Sequence, residues 1–526
     1  MRYDAIIIGA GHNGLTTACY LAKAGWRVAI LERRSIVGGA VCTQQDLIPG
    51  FRIDVGSSAH IMIHLTPVLR QLELESRFGL EYIEMDPWAF HPIAGTDRSI
   101  SFYRDLDRTC ASIARISPAD AEAYRQFVGF WGALNDAVFE AFLQPPSAAN
   151  LLKTVMKGGF RNRKALSGIS QTELLRRLMT NYGRLIAETF ESGPMRAAMT
   201  WLAAQSGPPP KELASGDLFG WNAMIHRSGA KRAKGGSGAL TQAMARCLEH
   251  YGGVIRTDAE VSRIELDSTG RAVAVHLGGE RLEGRNIVAA CHVHTTFLKL
   301  LGGENLPGDL KRRLEQVRVG NGFGMIVRHA VNQLPQYPGL ASDSRGVSEA
   351  HSALQLLCPS TEHLETAHRD YMAGGPPRDP AVLAMTFSAL DPTLAPPGKH
   401  TLFTWAQYHP FELLNGESWD AISTREADKI YEAVCRYAPN MRGQMTDRFV
   451  QTPLDLERLL GLLRGNVMHV EMSFDQMFTF RPLPELSQYR TPIPGLYLTG
   501  ASTHPGGGVF AASGFNCAQV LLANRD

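Results

Sequence analysis

Residues 4–14, DAIIIGAGHNG, decide how this chain is read. Asp4 to Gly9 make a short run, rich in isoleucine and ended by glycine, as expected of a parallel strand buried on both faces. Gly9-Ala10-Gly11-His12-Asn13-Gly14 then supplies the pattern G-x-G-x-x-G. Residues 13–24, NGLTTACYLAKA, carry Leu15, Ala18, Cys19, Leu21 and Ala22 at helical spacing; Gly25 stops the helix, and WRVAILE follows as a second strand. The glycine pattern alone is weak, but between a strand and a helix it is specific for a dinucleotide turn. Gly9 permits the tight turn, Gly11 lets the backbone approach a pyrophosphate, and Gly14 lets helix and strand pack closely. The pyrophosphate would lie on the helix N-terminus, where free N–H groups and the dipole favour an anion.

Glu32 closes the second strand at the spacing where an acid holds ribose hydroxyls, with Arg33 beside it. An acid there selects an unphosphorylated ribose, so FAD or NAD over NADP. Gly38-Gly39-Ala40 follows closely. A glycine pair here is typical of flavoproteins with a glutathione-reductase type of FAD domain, and brings a second bare stretch of backbone toward the diphosphate. At the far end, residues 495–517 read GLYLTGASTHPGGGVFAASGFNC. A strand stops at Gly500, a loop of small residues follows, and a helix is expected from about Val509. Gly506-Gly507-Gly508 lets backbone crowd a flat ligand while a helix N-terminus aims N–H groups at it. A flavin needs such donors near N1 and O2, where negative charge collects on reduction.

Taken together, GAGHNGL, ERR…GGA, the GGSGAL helix start and YLTGASTHPGGGVFAASG resemble the phytoene desaturase-like flavoproteins, which include carotenoid desaturases, ketolases and isomerases and retinol saturases. GHNGL and GGAVCTQQDLIPGF look closest to the ketolase branch. The resemblance covers both ends and the middle of the nucleotide domain and is weak across 107–230 and 320–475. It implies that Gly9, Gly11 and Gly14 bind the FAD pyrophosphate and Glu32 the adenosine ribose. Gly38, Gly39 and Ala40 would line the diphosphate and ribityl side, and Val261 would meet the adenine. Gly500 and Ala501 would contact the ribityl phosphate, and Gly508 with Val509 the pyrimidine end of the flavin. Many relatives carry an acid just after the glycine matching Gly500; here it is Ala501, which leaves that contact to backbone or water. No second G-x-G-x-x-G with strand context appears, so the electron acceptor is expected to be dioxygen, a quinone or another protein.

The flavin-like segments are scattered, which predicts an α/β fold with a Rossmann-type FAD-binding domain built from 1–105, 230–320 and 476–526. A discontinuous α+β substrate domain takes 106–229 and 321–475. The 526 residues are 44% hydrophobic and 20% charged, ordinary for a globular protein. A net charge of +2 gives no field that would attract nucleic acid. Eight cysteines without a C-x-x-C pair fit reduced thiols in the cytoplasm. The apolar run Ala5–Ile8 is too short for a signal peptide, and no run of ~20 apolar residues is present to span a bilayer. Residues 147–164, SAANLLKTVMKGGFRNRK, mix apolar and basic side chains, and read either as a segment docking on the inner face of a membrane or as a surface helix followed by a basic loop.

No motif of hydrolytic or metal chemistry is found. His504, inside the closing loop, is the one catalytic candidate, against the reading of a loop histidine with a backbone partner. Cys291-His292-x-His294 looks like a metal fragment but lacks a matching pair, and no metal is expected. The aromatics from Tyr124 to Phe142 read equally as a polyene tunnel or a core stripe. Three functions stand: an FAD oxidoreductase acting on a long isoprenoid by desaturation, ketolation or isomerisation; an amine-oxidase-like flavoprotein with a smaller polar substrate; and a flavin-bearing interaction protein.

Overall fold

The computed structural model describes residues 2–150, 153, 154, 157, 169–414 and 416–524. The opening motif sits at its centre. Strand β1 (Tyr3–Ile8) is buried from Ala5 to Ile8 and pairs in parallel with β2 (Val28–Leu31) on one side and Glu280–Ala289 on the other. Val254–Arg256 extends the parallel sheet beyond β2, and Leu496–Leu498 extends it beyond Glu280–Ala289. The first half of Glu280–Ala289 turns into an antiparallel ribbon with Ala272–Leu277 and Arg263–Leu266, giving seven strands. Helix α1 (His12–Lys23) is buried continuously from Asn13 to Ala22, because the helices Gly238–His250 and Ala512–Leu522 pack against it besides the sheet. Its contact with Ala512–Leu522 is backbone to backbone. A Cβ on Gly514 would lie 2.3 Å from the Asn13 carbonyl oxygen and 2.8 Å from Thr16 Cβ. The Gly514 N–H donates to Asn13 Oδ1 (3.2 Å), and Thr17 Oγ1 donates to the Gly514 carbonyl (3.0 Å).

The second layer is also a seven-stranded sheet. Its order is Met445–Gln451, Gly324–Val331, His400–Gln407, Val382–Met385, Leu354–Leu357, Ala89–Pro92 and Ser99–Phe102, antiparallel except where Leu354–Leu357 meets Ala89–Pro92. Side-chain alternation gives it two apolar faces. One packs on the helix Trp419–Tyr437. The other packs on a helical block that includes Pro118–Phe142, Tyr182–Thr189 and Gly193–Ala204.

The α/β fold with an FAD-type Rossmann sheet is as expected, and the aromatics from Tyr124 to Phe142 lie on one long helix, Pro118–Phe142. The boundary at 105 is corrected: Ala89–Pro92 and Ser99–Phe102 belong to the second sheet, because Trp88, Ile100 and Phe102 are buried in its core. Residues 295–300, where helical spacing suggests an α-helix, form a π-helical turn. Most of the basic segment 147–164 lies outside the described residues; inside them, Lys157 pairs with Glu140. Among the described residues, no helix is long and apolar enough to cross a membrane.

Overpacking a closed contact costs about 1–3 kcal/mol. Gly514→Ala should therefore lower the melting temperature measurably. Gly129→Ala, in the long helix with nothing within 4 Å of its new Cβ, should leave it unchanged or raised. Equal melting of both variants would show that the α1 crossing is not tight.

Candidate dinucleotide site

The turn after β1 divides its three glycines by what lies beside them. A Cβ on Gly14 would sit 2.2 Å from the Gly9 carbonyl oxygen, so this position closes the helix onto the strand. A Cβ on Gly11 would meet nothing within 4 Å, so this position faces open space. The Gly38-Gly39 pair stacks directly on the turn. Gly38 N–H donates to the Ala10 carbonyl (2.8 Å), Gly11 and Gly38 bridge in parallel, and a Cβ on Gly39 would lie 3.3 Å from Gly11 Cα. Gly38 has φ +117°, and a side chain there would collide with the Val41 carbonyl at 2.4 Å. Two glycine segments that are separate in the sequence thus form one bare surface.

Glu32 is buried beside it. One carboxylate oxygen accepts the Ala10 N–H (2.9 Å) and the other accepts the Arg34 N–H (3.0 Å). A carboxylate offers about four lone-pair directions, so acceptor capacity is left over for hydroxyls. Arg33 points elsewhere: it is exposed and reaches the Leu459 carbonyl at 3.4 Å. Arg34, which no motif singles out, braces the glycine pair by donating to the Gly39 carbonyl (3.1 Å) and to Gln44 Oε1 (2.7 Å). Val261 is buried with Ile8 and Leu31, next to Ala259, whose N–H donates to the Glu32 carbonyl (2.9 Å). The Ala40 carbonyl accepts the Ser57 N–H (3.0 Å), and a Cβ on Gly56 would lie 2.5 Å from it. The segment 55–62 therefore joins the site. Its small residues Gly56-Ser57-Ser58 are the only signal of this in the sequence.

The closing loop meets the same surface. Gly500 N–H donates to Ser513 Oγ (2.9 Å), which also contacts the hydroxyls of Thr499 and Thr503. Gly508 is exposed, and a Cβ on it would stand 3.5 Å from Met62 Sδ. Val509 packs partly against the α1 core. The helix starts at Ala512, later than expected, because Ala511 adopts φ +64°. The ring of His12, inside the first glycine motif, lies against the Gly508 backbone, and desolvation, the largest effect on it, lowers its pKa to about 4. First and last motifs are thus one site, joined by a histidine that carries no signal of this role in the sequence.

This geometry agrees with the comparisons. Residues 14–328, more than half of the chain, match the family described as flavin containing amine oxidoreductase. The chain belongs to this family. The chain is 32% identical to the pyridine nucleotide-disulfide oxidoreductase domain-containing protein 2 of Rattus norvegicus, over 99% of this chain and 93% of the relative. It is 27% identical to a limonene dehydrogenase chain of Castellaniella defragrans, covering 98% and 94% of the two chains. It is 26% identical to the lycopene-forming phytoene desaturase of Pantoea ananas, covering 99% of each. An oxidoreductase structure from Methanosarcina mazei shares the fold, with a TM-score of 0.61 at 16% identity, covering 99% of this chain and 100% of that one. The protein is a phytoene-desaturase-like, FAD-dependent oxidoreductase.

The closing loop is held from behind by Arg481. The guanidinium is buried and donates only to backbone carbonyls, those of Ala501 (2.7 Å), Met468, Val470, Glu471 and Gln476. Burial lowers its pKa to about 9. His504 lies in aromatic packing against Phe142 and Phe478. Its Nε2 is 3.2 Å from the Ala141 carbonyl, the backbone partner that the alternative reading requires, and burial lowers its pKa to about 3. His292 and His294 spend their Nε2 atoms on the carbonyls of His469 (3.0 Å) and Leu314 (2.7 Å). Among the described residues no group of three His, Cys, Asp or Glu is placed to hold a metal.

Gly11→Ala should leave the melting temperature of the apoprotein unchanged and weaken FAD binding by about tenfold or more, read by flavin fluorescence titration. Gly14→Ala should lower both. Unchanged FAD affinity in Gly11→Ala would remove this turn from the site. A pH dependence follows from His504. Folded, it stays neutral down to about pH 3; unfolded, it takes a proton near 6.5. Acidification from 6.5 toward 3 therefore favours the unfolded chain, by about 1.4 kcal/mol per pH unit for this one group. Melting curves between pH 7 and 4.5 should show a shallower fall for His504→Asn; identical slopes would contradict the buried neutral ring.

Proposed function

We propose that this enzyme oxidises or isomerises a long apolar isoprenoid of the carotenoid kind. Gly9, Gly11, Gly14, Gly38 and Gly39 would hold the FAD diphosphate, Glu32 the ribose, and Gly500, Ala501, Gly508 and Val509 the flavin end. The observation that carries the substrate class is an aromatic wall at the closing loop. The last turn of the helix Pro118–Phe142 brings Phe139 and Phe142 edge-to-face onto Phe510, at 5.6 and 5.7 Å between ring centres. Phe478 and Trp221 pack on Phe142. The whole predicted stripe is buried in one core: Phe139, Phe142 and Phe510 are as enclosed as Tyr124, which stacks on Phe127 and bonds His226. A wall of rings beside the flavin loop suits a flat hydrocarbon and keeps water out. The names of two relatives, phytoene desaturase and limonene dehydrogenase, point the same way.

Bound FAD supplies a hydride acceptor. The chain's own work is to hold the hydrocarbon in line and dry, which explains why the sequence carries no acid-base motif. Dioxygen, a quinone or a protein would take the electrons onward. The segment 147–164 would dock on an anionic leaflet to reach a lipid-dissolved substrate; neutralising Lys153, Lys157, Arg161, Arg163 and Lys164 should then reduce liposome flotation, and unchanged flotation would exclude it.

The substrate class is tested by anaerobic titration of the FAD-loaded protein with phytoene in liposomes and, separately, with a diamine. Bleaching of the oxidised flavin band by the isoprenoid alone is expected. Bleaching by the amine alone would replace this reading with an amine oxidase.

A further inference from the structure

Against the second sheet lies a small cavity of about 20 Å³, lined among others by Arg52, Asp54, Arg232, Arg328, Phe387 and Phe403. Asp54 comes from a two-stranded ribbon of Thr43–Gln44 with Ile53–Asp54, Arg232 from another of Tyr82–Met85 with Ala230–Ala233, and Arg328 and Phe403 from the second sheet. Arg232 and Arg328 are 1% and 3% exposed, which removes bulk water as their partner. Each guanidinium lies over a ring, Arg232 4.7 Å from the centre of Phe387 and Arg328 3.6 Å from that of Phe403. Arg328 donates to the carbonyls of Asp54 (2.6 Å) and Val55 (3.0 Å).

The cavity does not balance its charge. Asp54 is its one carboxylate among the lining residues. One of the Asp54 oxygens is taken by Thr43 Oγ1 (2.7 Å) and the Ser237 N–H (2.7 Å); the other meets Arg232 Nη2 at 3.4 Å. Arg328 has no carboxylate of its own, and burial lowers its pKa to about 9. Two charged donors are left over: Arg232 Nε and Arg328 Nη1 are buried without a hydrogen-bond partner among the described residues. A buried charged donor left unmade is costly, and an uncompensated buried cation more so. The room available suits a single particle of about the size of a water molecule.

We propose that this cavity binds one monatomic anion of halide size, held by Arg232 and Arg328 and clasping the second sheet to the two ribbons. Chloride accepts from both leftover donors at once and neutralises the excess charge; water would satisfy the donors and leave the charge. The anion sits behind the segment 55–62, since the Arg328 guanidinium holds the Asp54 and Val55 carbonyls that lead into it.

The test uses the FAD-loaded protein. Melting temperature is measured against chloride, bromide and gluconate at constant ionic strength, and crystals are soaked in bromide. A saturable rise with chloride and bromide but not gluconate is expected, lost in Arg328→Met, which keeps a flexible side chain over Phe403. An anomalous bromide peak is expected between Arg232 and Arg328. A halide effect that survives in Arg328→Met, or none beyond gluconate, overturns the proposal. So does a site holding only water in the bromide crystal, a measurement on unaltered protein that decides the matter if the variant does not fold.

Discussion

The constraint on which the rest of this structure depends is the approach of three backbones at the N-terminal half of α1. Gly14 lets the helix lie on the turn that leaves β1, and Gly514 lets the last helix lie on α1 from the other side. Each contact is closer than a Cβ allows. Because both are satisfied by the same few residues, the chain's first and last motifs are forced together, although the Gly514–Asn13 hydrogen bond joins positions 501 apart in the sequence. Everything that touches the candidate dinucleotide surface is hung from this crossing: the Gly38-Gly39 stack, the closing loop pinned by Ser513, and the His12–Gly508 contact.

The second layer is set against this core by a polar seam rather than by glycine. Asp54 is its hub, tying Thr43, Ser237 and Arg232 together on the nucleotide side, while Arg328 crosses from the second sheet to the carbonyls of Asp54 and Val55. The seam and the glycine surface share the segment 40–58, so a shift in one is transmitted to the other over a few residues. That is a physical reason for the second sheet to be in register with the glycine surface. The aromatic wall adds an apolar seam on the other side, where Phe142 meets His504 and Phe510.

Whatever rests on local rules is legible in the sequence. β1, α1, β2, the long helix and the glycine turns follow from periodicity and from positions where a side chain does not fit, and the structure gives Gly9, Gly11, Gly14, Gly38, Gly39 and Glu32 a common surface. What stays hidden depends on contacts distant in sequence. Arg33 and Arg34 are indistinguishable by composition, and only the fold turns one toward Leu459 and the other onto the glycine pair. Arg481 carries no motif, because its partners are carbonyls from several loops. The strands at 89 and 99 have an antiparallel pattern that fits either sheet, and their chain position suggests the wrong one, because pairing partners near 354 leave no local trace.

The histidines around the closing loop share a property that bears on chemistry. His12, His469 and His504 are held neutral by burial, and the cation near them, Arg481, has no carboxylate partner. The surroundings of the closing loop therefore carry positive charge, while Glu32 stays beside the first glycine turn. A ligand that brings phosphates to one part of this surface and gathers electrons at another meets favourable charge at both. Neutral imidazoles on the Ala141 carbonyl and the Ser502 hydroxyl add rigidity without adding a group that titrates near neutral pH. The electrostatics thus support a site that positions and stabilises charge, with no histidine around the closing loop titrating near neutral pH.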